Sequence, residues 1–158
     1  MTDDGLQYVL SLSYGKDSLA CLGAIEKLGW PLDRIIHAEV WATDTIPADL
    51  PPMVEFKAHA DKIIKDRWGI TVEHIKAKRT FEQLFYRRKQ CSKYETRNGN
   101  IYGWPAVNHP YCNSMLKMEA INRAKKVLQG QQVIQYIGIA ADEPKRFHNL
   151  TSKAKALW

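Results

Sequence analysis

Apolar positions along the chain switch between two periods, one of the extended strand and one of the helix. Residues 7–12, Gln-Tyr-Val-Leu-Ser-Leu, form a short apolar run with β-branched and aromatic content, which predicts a strand. Leu19, Leu22, Ile25 and Leu28 then recur at helical spacing until Gly29 and Pro31 stop them. A second strand is expected over 34–41. A loop bearing Pro47, Pro51 and Pro52 leads to a helix over 52–68, with Met53, Phe56, Ala60, Ile63 and Ile64 as its inward stripe. Pro52 suits its first turn and Gly69 its end. Residues 70–75 alternate as a third strand. Thr80-Phe-Glu-Gln83 reads as a capping box opening a helix through Phe81, Leu84 and Phe85 that fades near Lys93. Asn98-Gly99 marks a turn, and a long loop with Gly103, Pro105 and Pro110 follows. A helix over 114–129, with Met115, Leu116, Ile121 and Leu128 inward and Gly130 as its stop, leads to a fourth strand over 132–139.

Strands alternating with helices predict an α/β fold: a doubly wound, mostly parallel sheet with helices on both faces. Residues 1–6 read as a polar lead-in, and no repeat or linker divides the chain, so one domain over 1–158 is expected. In such sheets ligands sit beyond the carboxyl ends of the strands.

The richest chemistry lies at the first of those ends. Ser11-Leu-Ser-Tyr-Gly-Lys-Asp-Ser18 bridges the first strand and helix. A helix start offers free N–H groups and the positive end of a dipole to an anion. Gly15 allows close backbone approach, and Lys16 adds a point charge. The hydroxyls of Ser13 and Ser18 can donate to phosphate oxygens, and Asp17 can cap N–H groups or help hold a metal on a polyphosphate. The order of residues is not that of the Walker loop, which ends in Gly-Lys-Ser/Thr.

Other strand ends carry polar groups too. Asp44 and Thr45 follow the second strand, where they serve equally as ligand contacts or as loop caps. Tyr102-Gly-Trp-Pro105 precedes Tyr111-Cys-Asn-Ser-Met-Leu-Lys117, in which Asn113 is placed to cap a helix and Lys117 lies one turn in. Cys112, just before that helix, is either a packed small residue or a thiol activated by the helix start. Ala140-Ala-Asp-Glu-Pro-Lys-Arg146 follows the fourth strand. There Asp142 and Glu143 also suit the start of a helix. His37 reads as a packed histidine, and His59 and His74 as structural or exposed, since no metal-ligand spacing joins them.

Three of these stretches together resemble the PAPS (phosphoadenosine phosphosulfate) reductase-like branch of the PP-loop ATP pyrophosphatase superfamily. The first matches Ser-Gly-Gly-Lys-Asp-Ser, with Tyr14 in place of the first glycine. The second matches a Gly-aromatic-Pro segment followed by an aromatic-Cys pair and Leu-Lys, with Tyr111 where tryptophan is usual. The third matches Gly-Ile-Arg-x-Asp-Glu-Ser-x-x-Arg at Gly138, Ile139, Asp142, Glu143 and Arg146. Ala140 stands for the arginine and Pro144 for the serine. The resemblance implies an adenine nucleotide alpha-hydrolase-like fold and a single PP-loop domain, short of a C-terminal extension that relatives carry. It implies ATP, or a PAPS-like adenylyl nucleotide, with Mg²⁺, held by Ser11, Ser13, Tyr14, Gly15, Lys16, Asp17, Ser18, Asp44, Thr45, Gly138, Ile139, Asp142, Glu143 and Arg146. Lys16, Asp17 and Lys117 would carry the chemistry, Cys112 would be the candidate thiol, and Asp17 or Asp44 would hold the ion. The missing arginine at 140 favours ATP over a nucleotide with an extra phosphate. The implied reaction cleaves between the α- and β-phosphates and transfers an adenylyl group or sulfur to an acceptor the sequence does not name.

Composition narrows the setting. Of the 158 residues 45% are hydrophobic and 25% charged, the balance of a globular protein. No apolar run is long enough to span a bilayer, and no secretory leader is visible. Three cysteines, Cys21, Cys91 and Cys112, make no disulfide framework. A reducing, cytoplasmic location is therefore expected, with no membrane partner. The formal charge of +6 suits a polyanionic ligand. Nucleic acid stays open through the basic run Arg87-Arg-Lys89, as a tRNA or nucleic-acid thiolation enzyme. A non-catalytic nucleotide-binding module of a larger assembly, or a homo-oligomer, is also compatible with the pattern.

Overall fold

The structure, a computed structural model, describes residues 6–90, 97–105, 111–126, 132–145 and 148–149. Its centre is an all-parallel sheet of four strands in the order β3-β2-β1-β4. The strands are β1 (Leu6–Ser11), β2 (Arg34–Glu39), β3 (Val72–Lys76) and β4 (Gln132–Tyr136). From β1 the chain steps outward to β2 and β3, then returns to the opposite side of β1 for β4. Thus β1 is paired on both edges, with Leu10 opposite Ile35 on one side and Tyr136 on the other.

The helices are α1 (Lys16–Leu28), α2 (Pro51–Trp68), the short α3 (Phe81–Phe85) and α4 (Glu119–Lys126). The glycine stops behave as their sequence suggests. Gly29 and Gly69 close α1 and α2 in the left-handed region, at φ 63° and 69°. Pro51 and Pro52 fill the first turn of α2, where a missing N–H costs nothing. Leu10, Leu12, Leu22, Ile25, Ile35, Ala60, Ile64 and Val72 form the main core between sheet, α1 and α2. Burying such a side chain contributes roughly 1.5–3 kcal/mol.

Three expectations need correction. The inward face of α2 is rotated: Met53, Phe56 and Ile63 are exposed, while Lys57, Ala60 and Ile64 are buried. A hydrophobic pattern misses this because Lys57 finds polar partners inside. The helix opened by Thr80 stops after five residues, although its capping box forms with Gln83. The chain then runs extended, and Arg88 bridges antiparallel to Ile101. The backbone bonds Lys89 N–H to Asn100 and Tyr102 N–H to Arg87 hold that return, and Lys93 lies outside the described residues. Finally, β2 ends at Glu39, and Trp41 pairs only with Pro47.

The last helical stretch differs as well. Residues 111–126 are continuously helical, with a π-helical segment at Asn113–Met118 before α4. The helix is already under way at Tyr111, so neither Asn113 nor Cys112 supplies a side-chain cap. Tyr111, Leu116 and Ala120 are its buried residues. Leu128 and Gly130, expected as an inward residue and the helix stop, lie outside the described residues. A second, smaller core joins Leu84, Tyr111 and Leu116 and ties this helix to α3. Among the described residues no helix is long and apolar enough to cross a membrane.

Candidate functional site

The turn between β1 and α1 is bound to itself before any ligand arrives. Ser18 donates its hydroxyl to the Gly15 carbonyl at 3.0 Å, and the Ser13 and Ser18 hydroxyls lie 3.0 Å apart. Ser13 N–H donates to Ser18 Oγ at 3.2 Å. Gly15 is the extended residue before α1, without a side-chain cap. The N–H groups of Lys16, Asp17 and Ser18 therefore point out of a helix start with no intrahelical carbonyl to meet. Lys16 stands exposed beside Asp17, Nζ to Oδ1 at 2.9 Å. That bond raises the Lys16 pKa, and the charges of Asp142 and Glu143 add to it. The acidic pair of the third stretch thus lies within electrostatic reach of the lysine of the first.

Gly138 makes the junction tighter. A Cβ on it would sit 2.4 Å from the Asp17 carbonyl oxygen and 2.8 Å from the Ser18 nitrogen. Only glycine lets the chain leaving β4 press its backbone on the start of α1. Beside this contact opens a cleft of about 1180 Å³. Ser11, Ser13, Ser18 and Gly138 line one side of it, and Cys112 and Lys117 of the 111–126 helix line another. Lys57, Lys125 and Lys145 bring further positive charge to its walls. Lys125 donates to the Gln135 carboxamide, whose Nε2 donates to Ser11 Oγ. Burial lowers the Lys125 pKa.

Beneath the turn lies a polar network. His37 is buried, with Nδ1 2.8 Å from the Leu12 carbonyl and Nε2 2.8 Å from Lys57 Nζ. A carbonyl accepts only, so Nδ1 carries the proton and Nε2 accepts from the ammonium. Desolvation lowers the His37 pKa, which agrees with a neutral ring. Lys57 also donates to Asp49 at 2.5 Å. Tyr14 is buried and turned away from the cleft, its phenol donating to Asp61. Burial, and then the Asp61 carboxylate, drives that phenol well above its usual pKa. His74 spans Asp61 at 2.7 Å and Glu39 at 2.6 Å. Burial pushes the Glu39 carboxyl up, but bonds from Trp41 and His74 outweigh it and hold the group below its usual range.

The remaining candidates are placed as follows. Asp44 accepts from Gln83 Nε2 at 3.1 Å and lines a separate hollow of about 130 Å³ with Lys76, Arg79 and Thr80. Thr45 is exposed in the same loop, its N–H 3.4 Å from Thr43 Oγ1. Ile139 follows Gly138, Asp142 and Glu143 form an exposed turn, and Arg146 lies outside the described residues. Cys112 is an unpaired, half-buried thiol on the cleft wall. Cys91 lies outside the described residues, and among those described no three His, Cys, Asp or Glu side chains group as a metal site.

The structure therefore gathers Ser11, Ser13, Ser18, Cys112, Lys117 and Gly138 around one cleft, with Lys16 and Asp17 at the adjoining helix start. Asp44 does not line that cleft. Sequence reading missed Lys57, Asp61, Gln135 and Lys125. The one signal available was the pair Lys57 and Asp61, four apart and together on one edge of the apolar stripe of α2. Comparison of the chain with protein-family models, with curated proteins and with solved structures gives no match.

Proposed function

We propose that this chain is an enzyme of the PAPS reductase-like PP-loop kind, binding ATP or a related adenylyl nucleotide with Mg²⁺ in a cytoplasmic setting. The observation that supports it most is the seat of Gly138 on Asp17 and Ser18 beside a shared cleft. The strand order β3-β2-β1-β4, reversing direction at β1, is what a doubly wound, adenine nucleotide alpha-hydrolase-like sheet would have. The α1 N–H groups, Lys16 and the Ser13 and Ser18 hydroxyls would take the pyrophosphate, with Lys117 facing it from the opposite wall. Their task is to offset charge on the leaving pyrophosphate as the bond between α- and β-phosphates breaks. Asp17, beside the turn, fits Mg²⁺ carried by a polyphosphate better than Asp44, which occupies another hollow. The ion would supply further charge neutralisation. Titration calorimetry with ATP and with PAPS, each with Mg²⁺, tests this reading. Binding that Lys16→Ala abolishes is expected, and no binding of either nucleotide refutes it.

A second reading, that the acceptor is a nucleic acid, is favoured by one patch. Trp104 is 77% and Tyr86 64% exposed, and Trp104 packs on Phe81 and Phe85 with centroids 5.7 and 5.2 Å apart. Arg87 and Lys89 flank Tyr102 nearby, 5.8 and 5.7 Å from its centroid. Aromatic faces with adjacent cations suit unpaired bases on a phosphate backbone. Oligonucleotide anisotropy should then show a steep salt slope that Arg87→Glu with Lys89→Glu removes.

A further inference from the structure

Tyr14 stands where the resembled motif has glycine, and its backbone is the single non-glycine with positive φ among the described residues, at 58°. Bulky side chains rarely adopt that conformation. Here it is held from several sides. The ring meets His37 edge-on, centroids 4.7 Å apart, and Lys57 Nζ lies 5.4 Å from its centroid. The phenol donates to Asp61, and His74 Nε2 lies 3.2 Å from the phenol oxygen. Lys57 and Asp61 are one helical turn apart on α2, so one face of α2 grips both the face and the tip of the ring. His74 and Glu39 then brace Asp61 from the strands β3 and β2.

We infer that Tyr14 is a positioning residue: its phenol, latched by Asp61, fixes the left-handed backbone that presents the Lys16–Ser18 amides beside the cleft. The inference rests on the nucleotide reading for its purpose, but the latch itself belongs to the ligand-free protein. A glycine would reach the same φ without strain, yet would leave the turn free to leave it. The aromatic residue exchanges that freedom for a fixed geometry, which lowers what must be ordered when an anion binds. A side chain that merely filled the core would be indifferent to its hydroxyl.

Two measurements on Tyr14→Phe, Asp61→Asn and the double variant test this. The first is hydrogen exchange of the bonded amides of the turn, Ser13, Gly15 and Leu19, without ligand, and the second is ATP affinity by calorimetry. Loss of a hydrogen bond to a charged acceptor should speed exchange in the turn about tenfold and weaken ATP by a similar factor. In exchange at the turn the double variant should match Tyr14→Phe, because Asp61 acts on the turn through the phenol. Unchanged exchange at those amides, with a lowered melting temperature alone, would overturn the inference, as would exchange in the double variant faster than in Tyr14→Phe. If the unaltered protein binds no ATP while exchange still responds, the nucleotide reading fails and the latch stands. If ATP binds normally and exchange does not respond, the latch fails and the reading stands.

Discussion

The floor of the cleft and its outer wall are held by different means. At the β1–α1 turn, Tyr14 meets polar side chains in or near the core from β2 (His37), α2 (Lys57, Asp61) and β3 (His74), with Asp49 of the loop before α2 holding Lys57. The outer wall is the helix over 111–126, backed by the stretch from Thr80 to Trp104 through a small core of Leu84, Tyr111 and Leu116. Of its aromatic residues Tyr86 and Trp104 lie at the surface while Tyr111 is buried, and the helix carries a π-helical segment. A turn that must present a fixed set of donors is braced by partners that cannot be lost singly. Among the described residues, the wall is held by rings packed on rings, Phe81 against Phe85, Trp104 and Tyr111, and Tyr102 against Tyr111.

The sharpest way to break this contrast is Lys57→Met. It leaves Asp49 without its ammonium and His37 without its Nε2 donor, so a loss of about 3 kcal/mol in urea unfolding is expected. A change well under 1 kcal/mol would show the brace to be ornamental. Next comes Gly138→Ala, whose new Cβ would meet the Asp17 carbonyl at 2.4 Å. Overpacking against backbone should cost about 2 kcal/mol and weaken ATP binding more than tenfold. Full ATP affinity in that variant would mean the two backbones do not need their contact.

Acid should erode the floor before the wall. Glu39 is held below its usual range by Trp41 and His74, against burial, and Glu73 by its bond to Arg34. Each stays ionised in the folded chain to a lower pH than in the unfolded chain. Their contribution is complete above the unfolded glutamate pKa of about 4.3 and disappears as pH falls through the folded value. His37, kept neutral mainly by burial, acts in the same direction, since the unfolded ring takes up its proton first, below about pH 6.5. Exchange over residues 6–39 at about pH 7 and about pH 4 should therefore loosen earlier than over 97–104. The smallest effect belongs to the wall: Trp104→Ala, with 77% of the residue exposed, should change stability by less than about 0.5 kcal/mol.

Much of the fold's outline was legible because local chemistry wrote it. Gly29 and Gly69 stop helices, Thr80 and Gln83 make a capping box, and the alternation of periods produced the parallel strands. The cluster Ser13–Ser18 was legible for the same reason, being one continuous turn. What brings Gly138 onto it, or Asp61 onto Tyr14, is a long-range meeting of elements that no local period encodes. Polar residues defeated the pattern in α2, since Lys57 counts as outward until its partners are known. The early end of α3 was hidden too: the extended return at Arg88 depends on pairing with Ile101, which lies beyond the turn at Gly99.

The most direct test of the nucleotide site is a crystal structure of the protein soaked with a non-hydrolysable ATP analogue and Mg²⁺. The account predicts phosphates against the N–H groups of Gly15–Ser18, within reach of Lys16, with the nucleoside in the cleft between Gly138 and Lys117. Phosphates bound elsewhere, or a turn left empty at saturating nucleotide, would contradict it.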